Sequence, residues 1–388
     1  SRKTLRLERE FFVPTATSIA TLTPTRLKNI SSVHTIRRPP QTGMEFNSNQ
    51  ENYMAQRKIL IIFTGGTIAS VKSENGLIPG LNAPQILEFI PEIPADIEIE
   101  TLQLCNLDST DVYYKHWLMI SEAIERYYEG FDGFVICHGT DTLAYTAAAL
   151  SYLIQNSPKP IVLTGSQKPI GMEITDAKKN LMDSILYAAD PDSNNVNVVF
   201  YGKVIAGTRA KKNKSFSFDA FASINYPSIA SVQNNGKIIR FINEPVTGGV
   251  KFYHSLNPKV FVLKLTPGIT SDILETLFRQ YDCIIIESFG VGGIPINLID
   301  DLGRLKDKYA ENEKIIIMAT QVTYEGSDIA TYEVGQRIQN RFRYLQTYDM
   351  TLEAAFTKIM WILGNFSGSF HDFHHIFKEN INHDILNS

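Results

Sequence analysis

Between residues 57 and 201, short unbroken apolar runs alternate with longer segments in which apolar residues recur three and four apart. Runs of the first kind have the length of strands buried on both faces, and segments of the second kind have the spacing of a helix with one buried side. The pattern predicts strands over 59–63, 97–104, 134–137, 161–163 and 196–201, and helices over 84–89, 117–128, 142–154 and 177–189. Strand and helix in turn imply a mainly parallel sheet covered on both sides. Residues 244–258, broken up by Gly, Pro and Asn, interrupt the pattern and read as a linker. Beyond them the alternation resumes, with strands over 260–265, 283–287 and 315–319 and helices from 271, over 297–310 and over 351–363. The expected fold is α/β: a larger N-terminal domain over 54–243, built on a mainly parallel sheet, and a smaller Rossmann-like α/β domain over 259–388.

Residues 1–53 follow neither pattern. Residues 1 to 43 hold eight Lys or Arg and two acids, a net +6 against −10 for the rest, and no acid lies between Glu10 and Glu45. Such a Ser-, Thr- and Pro-bearing stretch without apolar periodicity is expected to be a disordered extension, dispensable for a core that could start at Met54. The chain as a whole is of ordinary globular composition, 44% hydrophobic and 20% charged, with an apolar content sufficient for two cores. A net charge of −4 offers no cationic field for nucleic acid, and no apolar run approaches the ~18 residues of a membrane span. Cys105, Cys137 and Cys283 sit in strand-like runs without metal-type spacing, which predicts reduced core residues and a cytoplasmic setting.

Two of the apolar runs end on the same kind of chemistry. The first stops at Thr64-Gly65-Gly66-Thr67-Ile68 and the second at His138-Gly139-Thr140-Asp141-Thr142. In an open α/β sheet ligands bind at the carboxyl ends of the strands, so both segments place hydroxyls and free backbone N–H groups at that edge. Glycines there permit a tight turn and a close approach of backbone to ligand, with N–H groups able to stabilise an oxyanion. Taken alone, Gly-Gly-Thr is more economically a strand-to-loop turn, and Asp141 an N-cap of the helix that follows. His138, directly after an apolar strand, reads as a structural histidine bonded to backbone. A hydroxyl beside a carboxylate suits ammonium binding and proton transfer, which makes Thr140-Asp141 the more specific signal.

With Leu107-Asp108-Ser109-Thr110-Asp111, Thr164-Gly165-Ser166-Gln167 and Phe218-Asp219-Ala220-Phe221-Ala222-Ser223, these segments resemble, in order and spacing, the signatures of the bacterial-type L-asparaginases, in particular the type I, cytoplasmic branch. The resemblance runs from Arg57 to about Leu386. It implies an amidohydrolase in which Thr67 attacks the side-chain amide of L-asparagine to form an aspartyl ester that water then cleaves. Thr140, Asp141 and Lys212 correspond to the second catalytic group, and Asp108, Ser109 and Thr110, with Thr140 and Asp141, to the substrate-binding set. A lysine serving as proton acceptor must give up its own proton first, which burial or neighbours can arrange. The resemblance further implies no cofactor and no metal, a homodimer or homotetramer, and L-asparagine as the small-molecule partner, with weaker action on glutamine.

Three positions depart from the family pattern. Leu77 stands where relatives carry a mobile-loop tyrosine, Gly293 where they carry an asparagine that reaches a neighbouring subunit, and Val322 where some type I members use a cysteine in an allosteric site. Two other functions share the same core: the amidase subunit of a tRNA-dependent amidotransferase, and a weakly active member acting as a binding protein. The His371, His374 and His375 cluster, interleaved with aromatics, is read as the polar face of a terminal helix rather than a metal site.

Overall fold

The computed structural model describes residues 34–35, 56–73, 76–90, 93–310, 314–329 and 333–386. The first apolar run forms β1 (Arg57–Gly65), in which Ile59 to Phe63 are shut off from solvent on both faces. There follow the short helix α1 (Ala83–Leu87), β2 (Ile97–Leu107), α2 (Tyr114–Tyr127), β3 (Gly133–Cys137), α3 (Leu143–Leu153), β4 (Ile161–Thr164), α4 (Ala177–Ala189) and β5 (Val196–Phe200). Pairing is parallel across β2-β1-β3-β4-β5, as a strand–helix alternation requires. The chain then doubles back in β6 (Lys203–Ala206). It throws out a separate hairpin of β7 (Ala210–Lys212) and β8 (Phe221–Ser223), and closes the sheet antiparallel with β9 (Ala230–Val232) and β10 (Ile238–Arg240). None of β6 to β10 exceeds four residues, too short for periodicity to announce them, and the sequence pattern predicted none.

His34–Thr35 adds an antiparallel pair to the outer edge of β2. The remainder of the expected extension lies outside the described residues, as does the expectation of disorder there. A small hairpin, Ser70–Ser73 with Gly76–Pro79, carries Leu77 opposite Lys72.

The segment read as a linker is pinned at Lys251–Phe252, which pairs with Ile154–Gln155. Beyond it β11 (Val260–Lys264), α5 (Asp272–Gln280), β12 (Cys283–Ser288), α6 (Ile296–Lys308), β13 (Ile315–Thr320), α7 (Glu333–Arg341) and β14 (Leu345–Gln346) build a second sheet in the order β11-β12-β13-β14, parallel throughout. This is the smaller α/β unit expected, although α7 went unpredicted because its composition is strongly polar.

The late helix α8 (Leu352–Asn365) leaves that sheet and packs on α3, with Trp361 stacked on Tyr152 at 6.0 Å between ring centres. Between α2 and α8 almost every side chain of α3 is buried, consistent with its Ala-rich sequence. After α9 (Phe370–Lys378), which carries the three histidines, the tail returns to the first domain. There Asp384 is wholly buried, accepting from Tyr152 Oη at 2.8 Å and paired with the equally buried Lys358 at 2.7 Å. Buried Arg209 donates to His383 O, to Asp349 O and to the Asp349 carboxylate. The tail thereby grips Thr208 and Arg209, the residues leading into β7.

Candidate active site

Three strand ends meet at the carboxyl edge of the first sheet. β1 finishes with Gly65 and Gly66 at φ of 107° and 82°, a left-handed conformation that glycine adopts without the Cβ clash other residues would suffer. A methyl on Gly66 would sit 2.4 Å from the Gly139 nitrogen, and one on Gly139 would sit 2.6 Å from Ser109 Oγ. Only unbranched backbone lets the three turns nest this closely. The interlock sets the short turn Thr67–Ala69 against the turn that carries Thr140. Thr67 is half-buried, and its hydroxyl makes no hydrogen bond among the described residues.

The second turn is stiffened from behind. His138 is fully buried, with Nδ1 2.7 Å from Gly139 O and Nε2 3.0 Å from Thr146 Oγ1, while Trp117 Nε1 donates to the same hydroxyl at 3.0 Å. Because the Gly139 carbonyl can only accept, the ring carries its hydrogen on Nδ1, and bare Nε2 accepts from Thr146 Oγ1, whose lone pair takes the indole N–H. Burial pushes the imidazole down to about 4, so it stays neutral near pH 7. The reading of His138 as structural holds.

Thr140 is buried, and its Oγ1 accepts from Lys212 Nζ at 2.8 Å. The same nitrogen lies 2.6 Å from Asp141 Oδ1. Lys212 is brought across 72 positions by the β7–β8 hairpin, where it pairs with Phe221, and its side chain is only 18% exposed. Asp141 does not take the alternative role of capping α3: the helix starts after Thr142 with no side-chain cap, and the Asp141 carboxylate is turned to the lysine. The neighbouring Lys211 and Lys214 are ion-paired with Glu353 and Asp219.

Ser109 is buried against this turn. Its Oγ accepts from Asp141 N at 3.3 Å, and its carbonyl accepts from Thr142 Oγ1 at 2.7 Å. Asp108 caps the short turn Ser109–Asp111, with Oδ1 accepting from both the nitrogen and the hydroxyl of Thr110 at 2.8 Å. The structure thus joins Thr140, Asp141 and Lys212 in direct contact, with Ser109 beneath them, and it spends one oxygen of Asp108 on its own turn.

Gln167 was passed over by sequence reasoning except as part of a motif. Its Oε1 accepts from Thr140 Oγ1 at 3.3 Å, making it a direct neighbour of the group. Its position, directly after the apolar run of β4, was the available signal.

A mainly parallel sheet whose ligand edge presents a threonine hydroxyl with no partner among the described residues, on a turn nested against the one that carries a lysine–carboxylate–threonine cluster, defines a class: a two-domain α/β enzyme equipped for acyl transfer through a hydroxyl nucleophile. Residues 58–246 match the N-terminal asparaginase domain family, and residues 259–377 match the glutaminase/asparaginase C-terminal domain family. The chain belongs to the asparaginase family of amidohydrolases, on its bacterial and archaeal type I branch. It is 40% identical over 312 residues to an L-asparaginase of Thermococcus kodakarensis, spanning 79% of this chain and 93% of that one. It is 33% identical to L-asparaginase 1 of Escherichia coli over 80% of this chain and 93% of that one. The solved thermostable L-asparaginase from Thermococcus kodakarensis superposes with a TM-score of 0.79 at 38% identity, covering 85% of this chain and all of the other.

Proposed function

We propose that this protein is an L-asparaginase, hydrolysing the side-chain amide of L-asparagine to L-aspartate and ammonia with Thr67 as nucleophile. The observation that carries the reading is the pairing of Lys212 Nζ with Thr140 Oγ1 at 2.8 Å and Asp141 at 2.6 Å, on a turn nested against the one that carries Thr67, whose hydroxyl has no partner among the described residues. In this reading the Thr67 oxygen bonds to the amide carbon and its proton passes through the Thr140–Lys212 pair to the leaving nitrogen. Ammonia departs, leaving an aspartyl ester on Thr67. Water then attacks the ester, returning the proton to the threonine and releasing aspartate.

Ser109 and the Asp108–Thr110 turn supply donors for the substrate α-carboxylate, and the open oxygen of Asp141, whose side chain is 58% exposed, takes the α-ammonium. Such fixing makes the attack effectively intramolecular. The same reading includes a homodimer or homotetramer, which light scattering at assay concentration checks.

The decisive test traps the ester. Lys212→Met keeps the Thr67 oxygen but removes the proton carrier, so quenched enzyme with L-asparagine should carry one aspartyl adduct on the Thr67 peptide by mass spectrometry, with turnover down at least ~100-fold. An adduct on Thr140, or ammonia released only with a partner protein and charged tRNA, would overturn the assignment.

A further inference from the structure

The Thr140 hydroxyl has a second neighbour besides the lysine, and that neighbour leads to a surface loop. Gln167 Oε1 lies 3.3 Å from Thr140 Oγ1, while its Nε2 lies 3.1 Å from Ser217 O and 3.4 Å from Lys214 O. Two carbonyls can only accept, so the amide nitrogen must face them, and reversing the amide would set its oxygen against both. With Oε1 toward Thr140, the hydroxyl has one course open to it. It donates to Gln167 and offers its lone pairs to Lys212 Nζ at 2.8 Å. Its hydrogen points away from the lysine.

The amide is held at the other end as well. The Gln167 backbone nitrogen donates to both oxygens of the buried Asp176 carboxylate, at 3.1 and 2.9 Å, and Lys168 N adds a third bond at 3.1 Å. Asn180 Nδ2 ties that carboxylate to Gly165 O. The turn after β4 is therefore rigid, and what can vary is the side-chain amide and the loop it touches. That loop carries Phe216 at its tip, 91% exposed, and is anchored by Asn213 N to Ala220 O at 2.8 Å and by the Lys214–Asp219 ion pair.

We propose that Gln167 is a positioning residue that couples the Lys214–Ser217 loop to the hydrogen-bond direction at Thr140, holding the hydroxyl as an acceptor from Lys212 while the loop carbonyls are in place. When the loop withdraws, the amide is free to turn. Nε2 then donates to Thr140 Oγ1, and the Thr140 proton swings toward the lysine, the polarity a neutral amine requires. Loop position thereby sets whether the pair is poised as ammonium and acceptor or as amine and donor. The inference deepens the amidohydrolase reading and rests on it for its consequence in turnover, although the coupling itself is readable without substrate.

The test follows the Lys212 side chain by ¹³Cε NMR titration, assigned through Lys212→Met, in the full-length protein. Gln167→Met removes the acceptor for the Thr140 hydroxyl. The Lys212 midpoint should fall by about half a pH unit or more, and amide exchange over 213–218 should quicken. In a Thr140→Val background the same substitution should leave the midpoint where it stands, because the effect runs through that hydroxyl. Gln167→Glu, which keeps an acceptor toward Thr140 but turns oxygen on the loop carbonyls, should quicken loop exchange without lowering the midpoint. A midpoint unmoved by Gln167→Met, or moved equally with and without the Thr140 hydroxyl, overturns the coupling. Absence of asparagine hydrolysis by the unsubstituted protein would instead overturn the proposed function and leave the titration result standing on its own.

Discussion

The two sheets of this protein are built alike and finish differently. The second is parallel throughout and the first across its five central strands, both are fed by strand–helix alternation, and both expose a carboxyl edge where ligands are bound in such folds. At the edge of the second sheet the polar side chains are spent on the strands themselves. Ser288 Oγ donates to Ala319 O, Thr320 Oγ1 to Gly290 O, and Gln321 Nε2 to Leu265 O and Glu287 O at 2.7 and 2.9 Å. At the edge of the first sheet the hydroxyls of Thr67 and Thr140, the Lys212 amine and the Asp141 carboxylate come from three separate segments, and the Thr67 hydroxyl has no partner among the described residues. Architecture supplies an edge, and what the edge can do depends on whether its polar groups are already satisfied.

That contrast is most sharply broken by exchanging truncations across it. Thr67→Ala should reduce kcat by about 10⁴-fold or more, as expected for removal of a nucleophile, with thermal stability nearly unchanged. Gln321→Ala, its counterpart on the other edge, should do the reverse. Leu265 O loses the Gln321 donor while Glu287 O keeps the one from Leu265 N, at ~1–3 kcal/mol, and kcat for asparagine stays close to the parent value. Denaturant unfolding and steady-state kinetics on both variants decide the matter.

A smaller effect is expected where the C-terminal tail crosses back to the first domain. Lys358 and Asp384 are both fully buried, and burial lowers the lysine from its ordinary value although the carboxylate opposes it. Asp384→Ala leaves that cation without its partner and should cost ~3–5 kcal/mol. Lys358→Met with Asp384→Leu should recover much of the loss, since an apolar pair carries no desolvation penalty. Because the same tail holds Arg209, three residues before Lys212, the single variant should also lower kcat.

The smallest expected effect distinguishes the two regions by pH. His138 titrates near 4 when folded and near 6.5 when unfolded, so between these values the unfolded chain binds the extra proton. Stability should therefore fall as pH drops from about 6.5 to 4, by at most roughly 3.5 kcal/mol from this residue. His138→Asn should flatten that part of a stability–pH curve, whatever it does to the value at neutral pH. An unaltered slope would mean that the imidazole is not held neutral.

The sequence by itself determined the alternation, the two sheets and the identity of the strand-end residues, because buried parallel strands must be unbroken apolar runs and Gly-Gly-Thr and His-Gly-Thr-Asp-Thr can only stand where those runs stop. Arg57–Gly65, Gly133–Cys137 and Ala177–Ala189 lie within a few residues of where the pattern set them. Tertiary structure alone decided the rest. The short strands from Lys203 to Arg240 take their hydrogen-bond partners from distant chain, so their sequence carries no period of its own. Asp141 had two chemically reasonable roles, helix cap or lysine partner, and a hairpin arriving from 71 positions away selected the second. Gln167 was one polar residue in a turn until Thr140 on one side and the Ser217 carbonyl on the other gave its amide a direction. Local sequence limits what a residue can donate or accept, and only the fold determines to whom.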